Sequence, residues 1–273
     1  MKKPLCISVS KDFGTVETNE DAALARENVI AVSDGAGGGG VYAECWSRYL
    51  LENLPDTPIE SFAMLDAWID GIWERFYQES EVKAQQQGGM FLNKFYDEGS
   101  FTTLAAAWRV SDDECRWMAY GDSVVFCYDK STDELRHSFT QLGDFSKPPY
   151  LINSKDPLKE GGFRGGSFKT SPSCIVFAAS DALSHAILAL YEASHQADYG
   201  EELAAAINLH TRNSALVKSV LDLREVNFGK RITALINACA DENKFKKLIQ
   251  KMKTAAIIAT DDYSLAVMYA GKE

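Results

Sequence analysis

The chain has 273 residues, 46% of them hydrophobic and 25% charged, which excludes a disordered tail or a fibre and leaves ample material for a packed core. Its 39 acidic residues against 28 basic ones give a net charge of −11, the wrong sign for gripping a nucleic-acid backbone over a broad surface. No run of about 18 apolar residues offers a bilayer span, and the start Met1-Lys2-Lys3-Pro4-Leu5-Cys6-Ile7 lacks the apolar core of a signal peptide.

Short apolar runs predict strands at 5–9 and 28–33. Residues 41–54 then read as a helix, and Phe62, Leu65, Ile69, Ile72, Trp73 and Phe76 follow the three-and-four spacing of a helix that buries one face. Further strands are predicted at 102–110, 116–120 and 124–128, close enough in sequence to be joined by hairpins. The segment from about 141 to 170 contains Pro148, Pro149, Pro157 and five glycines without a period, and predicts a long ordered loop or flap. It carries five basic residues against three acidic ones in an acidic chain, which suits either a solvated connector or a flap with a task. A strand at 174–179, a helical block at about 182–253 and a last strand at 263–269 complete the chain. The lysines from Lys244 to Lys253 read as the solvated face of a helix. Strands at both termini around two helical blocks predict an α+β layered fold with largely antiparallel sheets, organised as one domain over 1–273. Six scattered cysteines without a C-x-x-C pair fit a reducing cytoplasm.

Aspartates recur at the ends of the apolar runs. Asp34 follows Val29-Ile30-Ala31-Val32-Ser33, Asp122 follows Met118-Ala119-Tyr120-Gly121, and Asp181 follows Phe177-Ala178-Ala179-Ser180. Asp261 and Asp262 precede the last strand, and Glu20-Asp21 precede the second. Singly, each reads as a turn or cap residue. If the strands lie side by side the carboxylates gather at one edge, where two like charges ~4 Å apart repel by roughly 4 kcal/mol at an effective dielectric of 20. A divalent cation relieves that repulsion without protonating several carboxylates at once. An all-oxygen donor set suits Mg²⁺, Mn²⁺ or Ca²⁺, which predicts one or two hard ions. Zinc is disfavoured because His137, His185, His195 and His210 show no ligand spacing, although His185 lies one helical turn after Asp181.

Asp34-Gly35-Ala36-Gly37-Gly38-Gly39-Gly40 formally satisfies G-x-G-x-x-G, but the flanking pattern is not an alternating βαβ and no Lys-Ser/Thr closes a P-loop. The glycines are expected to let the backbone approach a metal-bound phosphate while Asp34 holds the metal. A dinucleotide site remains a minor alternative.

Taken together, Asn19-Glu20-Asp21-Ala22, Ala31-Val32-Ser33-Asp34-Gly35-Ala36-Gly37-Gly38, Gly99-Ser100-Phe101-Thr102-Thr103, Ala119-Tyr120-Gly121-Asp122-Ser123, Ala179-Ser180-Asp181-Ala182-Leu183 and Thr260-Asp261-Asp262-Tyr263-Ser264-Leu265 resemble the metal-dependent protein phosphatases of the PPM family, type 2C. Each piece is short; their order and spacing span residues 14 to 269. The resemblance implies a four-layer α-β-β-α sandwich with two Mg²⁺ or Mn²⁺ ions at one end of the sheets. It implies that Asp34 bridges the ions, that Gly35 offers its carbonyl, and that Asp181 and Asp261 bind one metal. Asp21 and Glu20 act from the other side through metal-bound waters, and Asp122 helps hold a third ion. The implied reaction is hydrolysis of phosphoserine or phosphothreonine monoesters in a phosphorylated protein partner, through a metal-bridging water. The sequence departs from the family pattern at several places. Val16 stands where members usually carry a phosphate-gripping arginine, a loss of about 1.5–3 kcal/mol of charge-assisted contact. Arg164 or a lysine of the 141–170 segment is the candidate substitute in substrate binding. Ala36 offers no acid after Asp34-Gly35, while Ala182 and Val124 replace a usual glycine and arginine. These departures keep open a second reading, a phosphatase-fold regulatory or binding module with little turnover. The oligomeric state is not set by the sequence.

Overall fold

Residues 2–14, 18–38 and 40–270 are described by a computed structural model. In chain order its elements are β1 (Leu5–Val9), β2 (Ala22–Ala25), β3 (Val29–Ser33), α1 (Ala43–Glu52), α2 (Phe62–Gln87), α3 (Gly89–Glu98), β4 (Phe101–Thr102), β5 (Leu104–Arg109), β6 (Glu114–Tyr120), β7 (Val124–Asp129) and β8 (Glu134–His137). They continue with β9 (Ile152–Asn153), β10 (Phe163–Lys169), β11 (Cys174–Ala179), α4 (Asp181–Ser194), α5 (Gln196–Asn208), α6 (Arg212–Leu221), α7 (Phe228–Ala238), α8 (Glu242–Thr254) and β12 (Tyr263–Tyr269). Two five-stranded sheets form, in the orders β1-β12-β11-β7-β8 and β10-β6-β5-β3-β2, with every strand pair antiparallel.

The period-2 alternation of side chains sorts the core into layers. Val29, Ala31, Leu104, Ala106 and Trp108 point to one face of the second sheet, where they meet Trp46 and Leu50 of α1 and Leu65, Ile69 and Phe76 of α2. Ile30, Val32, Ala105, Ala107 and Ala119 point the other way and pack on Val125, Cys127, Val176, Ala178 and Ala266 of the first sheet. Phe126, Phe177, Leu265 and Val267 line the outer face of that sheet, covered by α4 to α8. The result is the α-β-β-α sandwich expected from the sequence. Burying each large side chain of this kind stabilises the fold by about 1.5–3 kcal/mol. Many inter-sheet residues are small, so the two sheets approach closely.

Helix ends follow local chemistry. Ser61 caps α2, Thr211 forms a capping box on α6, and Asn227 and Asp241 cap α7 and α8. Helices α1, α3, α4 and α5 have no side-chain cap; at α4 the N-cap hydroxyl of Ser180 instead accepts from the Ser264 amide, at 3.0 Å.

Four strands escape the hydrophobic pattern: β2, β8, β10 and the two-residue β9, which pairs with β4. The segment 141–170 is not a loop throughout, because β10 pairs with β6 over seven residues, from Phe163↔Tyr120 to Lys169↔Glu114. Arg164-Gly165-Gly166-Ser167 has no apolar alternation since it forms a sheet edge. Gly166 is required there, as a Cβ would stand 2.7 Å from the Trp117 indole that lies across it. Strand β2 is mostly alanine and β8 is mostly polar, and both are also sheet edges.

Candidate functional site

Antiparallel pairing brings the acidic strand ends together. Ala22 pairs with Ser33, Leu104 with Tyr120, Ala179 with both Val124 and Leu265, and Val9 with Tyr263. Asp21 before β2, Asp34 after β3, Asp122 between β6 and β7, Asp181 after β11 and Asp261 before β12 therefore share one end of the sandwich. The turn 121–123 passes from one sheet to the other at that end. Gly121 has φ of 95°, and a Cβ there would stand 2.7 Å from the Thr103 methyl and 2.8 Å from the Tyr150 carbonyl oxygen, so only glycine makes this turn.

A shell of backbone and hydroxyl groups holds these segments. The Asp34 carbonyl accepts from the Thr103 amide at 2.8 Å and from Thr102 Oγ1 at 2.6 Å. Ser33 Oγ donates to the Thr103 carbonyl at 2.8 Å, and Thr103 Oγ1 lies 2.6 Å from Ser123 Oγ. Asp262 accepts from the Lys11 amide at 2.8 Å and the Glu20 amide at 2.7 Å, fastening two loops to the start of β12. Ser264 Oγ donates to Ser8 Oγ at 2.7 Å, and Asn19 Nδ2 donates to the same oxygen at 2.7 Å. Asp34 reaches across the sheets, with Oδ2 3.4 Å from the Asp181 amide at the uncapped start of α4. The positive end of that helix favours a carboxylate there.

Asp34, Asp122 and Asp181 each keep part of their surface open, whereas Asp21 is 2% exposed. Burial raises the pKa of Asp34 well above the ordinary range, and the charges of Asp21, Asp181, Asp122 and Asp261 raise it further. Asp181 is raised by the same causes, with Asp122, Asp261 and Asp21 as its neighbours in charge. Burial and then Asp262 push Asp21 up to about 7, against the hydroxyls of Ser180 and Ser264. Asp122 rises to about 6, mainly by burial. Asp261 and Glu20 are raised as well, burial first. Arg164 partly offsets the charge at Asp122, and Lys11 and Arg212 that at Asp261, whereas Asp34 and Asp181 face chiefly burial and one another's carboxylates, and Asp21 Oδ2 is buried without a hydrogen-bond partner. Donor chemistry, charge and the orphaned oxygen all fit a hard divalent cation. Among the described residues no three His, Cys, Asp or Glu side chains form a closed group able to hold an ion, so the fit is one of chemistry and placement rather than a finished coordination shell.

Other sequence candidates fall as follows. Glu20 is half-buried beside the glycine run; a Cβ on Gly35 would collide with its carbonyl oxygen, and one on Gly37 with its carboxylate. Gly35 and Gly37 thus admit the Glu20 segment, while Gly38 faces open space. Arg164 stands at the site end of β10, but Nε donates to the Ser138 carbonyl at 2.9 Å and Nη2 to the Gly121 carbonyl at 2.5 Å, with the guanidinium 5.3 Å from the Phe139 ring. It braces the turn that carries Asp122. His185 is a buried imidazole, edge-on to Phe145 at 5.3 Å, and burial lowers its pKa to about 4. Val124 is fully buried under the helical layer, where an arginine has no room, and Ala36 donates its amide to the Phe101 carbonyl at 3.0 Å. Val16 lies outside the described residues. Sequence reasoning assigned no role to Asp262 or to the hydroxyls of Ser33, Thr102, Ser123, Ser180 and Ser264. The one available signal was a second aspartate directly before a fully buried strand.

No protein-family profile matches this sequence, and no curated protein does. Solved structures do match it in shape. The catalytic domain of the serine/threonine protein phosphatase PstP, in complex with two manganese ions, is 16% identical with a TM-score of 0.51, covering 97% of this chain and 96% of its own. PppA, a regulatory component of the type VI secretion system in Pseudomonas aeruginosa, is 15% identical with a TM-score of 0.51, covering 97% of each chain. The serine/threonine phosphatase Stp1 from Staphylococcus aureus is 12% identical with a TM-score of 0.50, covering 98% of this chain and 94% of its own. The chain has the fold of the PPM-type serine/threonine phosphatases.

Proposed function

We propose that this chain, built on the PPM phosphatase fold, is a metal-dependent phosphoprotein phosphatase that hydrolyses phosphoserine and phosphothreonine monoesters. The observation that carries the reading is the convergence of Asp21, Asp34, Asp122, Asp181 and Asp261 on one end of the sandwich, where burial and mutual repulsion raise the pKa values of Asp34 and Asp181. Residues 1–273 act as one domain with a phosphorylated protein as partner, and neither nucleic acid nor membrane is involved. A net charge of −11 supports that, as does the finding that no helix among the described residues is long and apolar enough to cross a membrane. A cytoplasmic location is in keeping with six unpaired cysteines.

Two ions, Mg²⁺ or Mn²⁺, would be held by Asp34 between them, the Gly35 carbonyl, Asp181 and Asp261, with Asp21 and Glu20 completing the shell through water and Asp122 serving a third ion. The two manganese ions of PstP support the count. Bound there, the metals would neutralise phosphoryl oxygens and lower the pKa of water toward about 7. The protein's own part is placement. Asp262 fixes the loops bearing Lys11 and Glu20, the Thr102–Thr103 pair fixes the Asp34 main chain, and the α4 N-terminus orients the Asp34 carboxylate.

The test is release of phosphate from p-nitrophenyl phosphate. Turnover is expected with Mn²⁺, and it is abolished by chelator and by Asp34→Asn; full activity in that variant would refute the assignment. The reading as a weakly active binding module is favoured by one observation, the engagement of Arg164 with main-chain carbonyls in a chain that has Val16 at the usual arginine position. It predicts calorimetric Mn²⁺ binding with no hydrolysis across a phosphopeptide panel.

A further inference from the structure

The helical layer contains a partly open cavity that the phosphatase reading does not use. It measures about 280 Å³ and lies between α4, α7 and α8. Ile187, Leu190, Ile232, Leu235, Met252 and Ile257 form its walls, each at most 8% exposed, so the pocket is apolar in depth while its mouth opens to solvent. An unfilled apolar cavity forfeits dispersion contacts around its whole lining, a cost that is removed only when something occupies it. One aromatic residue lines it, Phe228, and that ring is already engaged edge-on by Tyr128 at 5.3 Å and by Tyr191 at 5.0 Å. The walls therefore suit a flexible aliphatic chain better than a flat ring. Since an apolar cavity of roughly 150 Å³ accommodates benzene, this volume holds on the order of ten to twelve carbon atoms.

The mouth is polar and mainly cationic. Glu225, Asn227, Lys230 and Arg231 stand at it, Arg231 being steadied by a 3.1 Å bond from Nη2 to the Glu225 carbonyl. A shallower depression continues outward from Ala234 and Leu248, which line both, and is walled by Lys244, Lys247 and Lys251. Lys244 pairs with Asp241 at 3.8 Å, whereas Lys230, Lys247 and Lys251 form no ion pair among the described residues. Such a basic rim on a protein of net charge −11 selects an anionic head group.

We propose that this cavity binds a medium-chain aliphatic carboxylate, its chain between α4, α7 and α8 and its head group beside Lys230 and Arg231. Titration of the full chain with decanoate by calorimetry is expected to reveal one saturable site. Ala234→Trp, at an exposed position shared by both depressions, abolishes it. The double variant Lys230→Glu, Arg231→Glu weakens it at least tenfold while leaving the melting temperature of the free protein unchanged. Decanol binds at least tenfold more weakly than decanoate. Absence of saturable decanoate binding to the unmodified chain overturns the proposal. So does equal binding of decyltrimethylammonium, or decanoate affinity that survives both the plug and the charge reversal. Binding to phosphatidylglycerol vesicles without binding of monomeric decanoate also overturns it, because the rim would then serve a membrane surface. Should Ala234→Trp fail to fold, the charge-reversal pair and the decanol comparison decide alone.

Discussion

Glu192 on α4 is 2% exposed and lies beside Glu202 of α5, and its Oε2 atom is buried without a hydrogen-bond partner. Glu202 in turn accepts from the Leu142 amide at 2.8 Å, at the start of the segment that runs to β10. Burial, then the Glu202 charge and the hydrogen bond between the two carboxyl groups, raise the Glu192 pKa from 4.5 to about 9. The folded state thus holds a proton that the unfolded chain releases near its ordinary pKa. The stabilisation linked to that proton is complete below about pH 4.5 and is lost as pH rises through about 9, the opposite sense to a salt-bridged carboxylate. Within that window the loss amounts to about 1.4 kcal/mol per pH unit, so a step from pH 6 to pH 8 removes about 2.7 kcal/mol, before water entry and rearrangement reduce it. Glu192→Gln keeps an N–H donor toward Glu202 but does not titrate. Urea unfolding followed by circular dichroism at pH 6, 7, 8 and 9 should give a falling stability for the unmodified chain and a flatter profile for the variant. Parallel profiles for the two proteins would refute the reasoning.

Two further outcomes follow from the packing. Asp262→Ala strands the amides of Lys11 and Glu20 in a buried setting and should destabilise by about 3–5 kcal/mol in chemical unfolding, with Asp262→Asn recovering roughly half; a change within 0.5 kcal/mol would count against the clamp. Ala178→Leu overfills the space between the sheets and is expected to cost about 1–3 kcal/mol and to weaken Mn²⁺ binding measured by calorimetry; unaltered stability would mean that the layer is looser than its residues suggest.

Much of this architecture was legible from hydrophobic pattern alone. The strands ending in Ala179 and Tyr269 match their predicted bounds because each is buried along nearly its whole length, and β1, a partly buried edge strand, matches because Leu5, Ile7 and Val9 keep an apolar alternation. The edge strands β2, β8 and β10 were not legible, since an edge satisfies only one side of its backbone and its side chains need no apolar alternation. Arg164-Gly165-Gly166 reads as loop chemistry until the Trp117 indole across Gly166 is known. At the candidate site the aspartates were legible because each ends an apolar strand. The hydroxyl frame was not, because Ser33, Thr102 and Ser264 owe their roles to partners up to 256 residues away in sequence, which no local spacing encodes. The contact of Glu20 with Gly35 and Gly37 was not legible for a related reason: it joins two separate segments.

A single rod joins three chemically distinct places in this molecule. The fourteen residues of α4, about 21 Å of helix, begin at Asp181 among the clustered aspartates, pass Ile187 and Leu190 in the cavity wall, and reach Glu192 two residues before their end. The helix is buried along nearly its whole length, so its axis is held by packing at each of these stations. The carboxylate cluster, the apolar pocket and the buried Glu192 thus share one element, and the placement of α4 enters the geometry of all three.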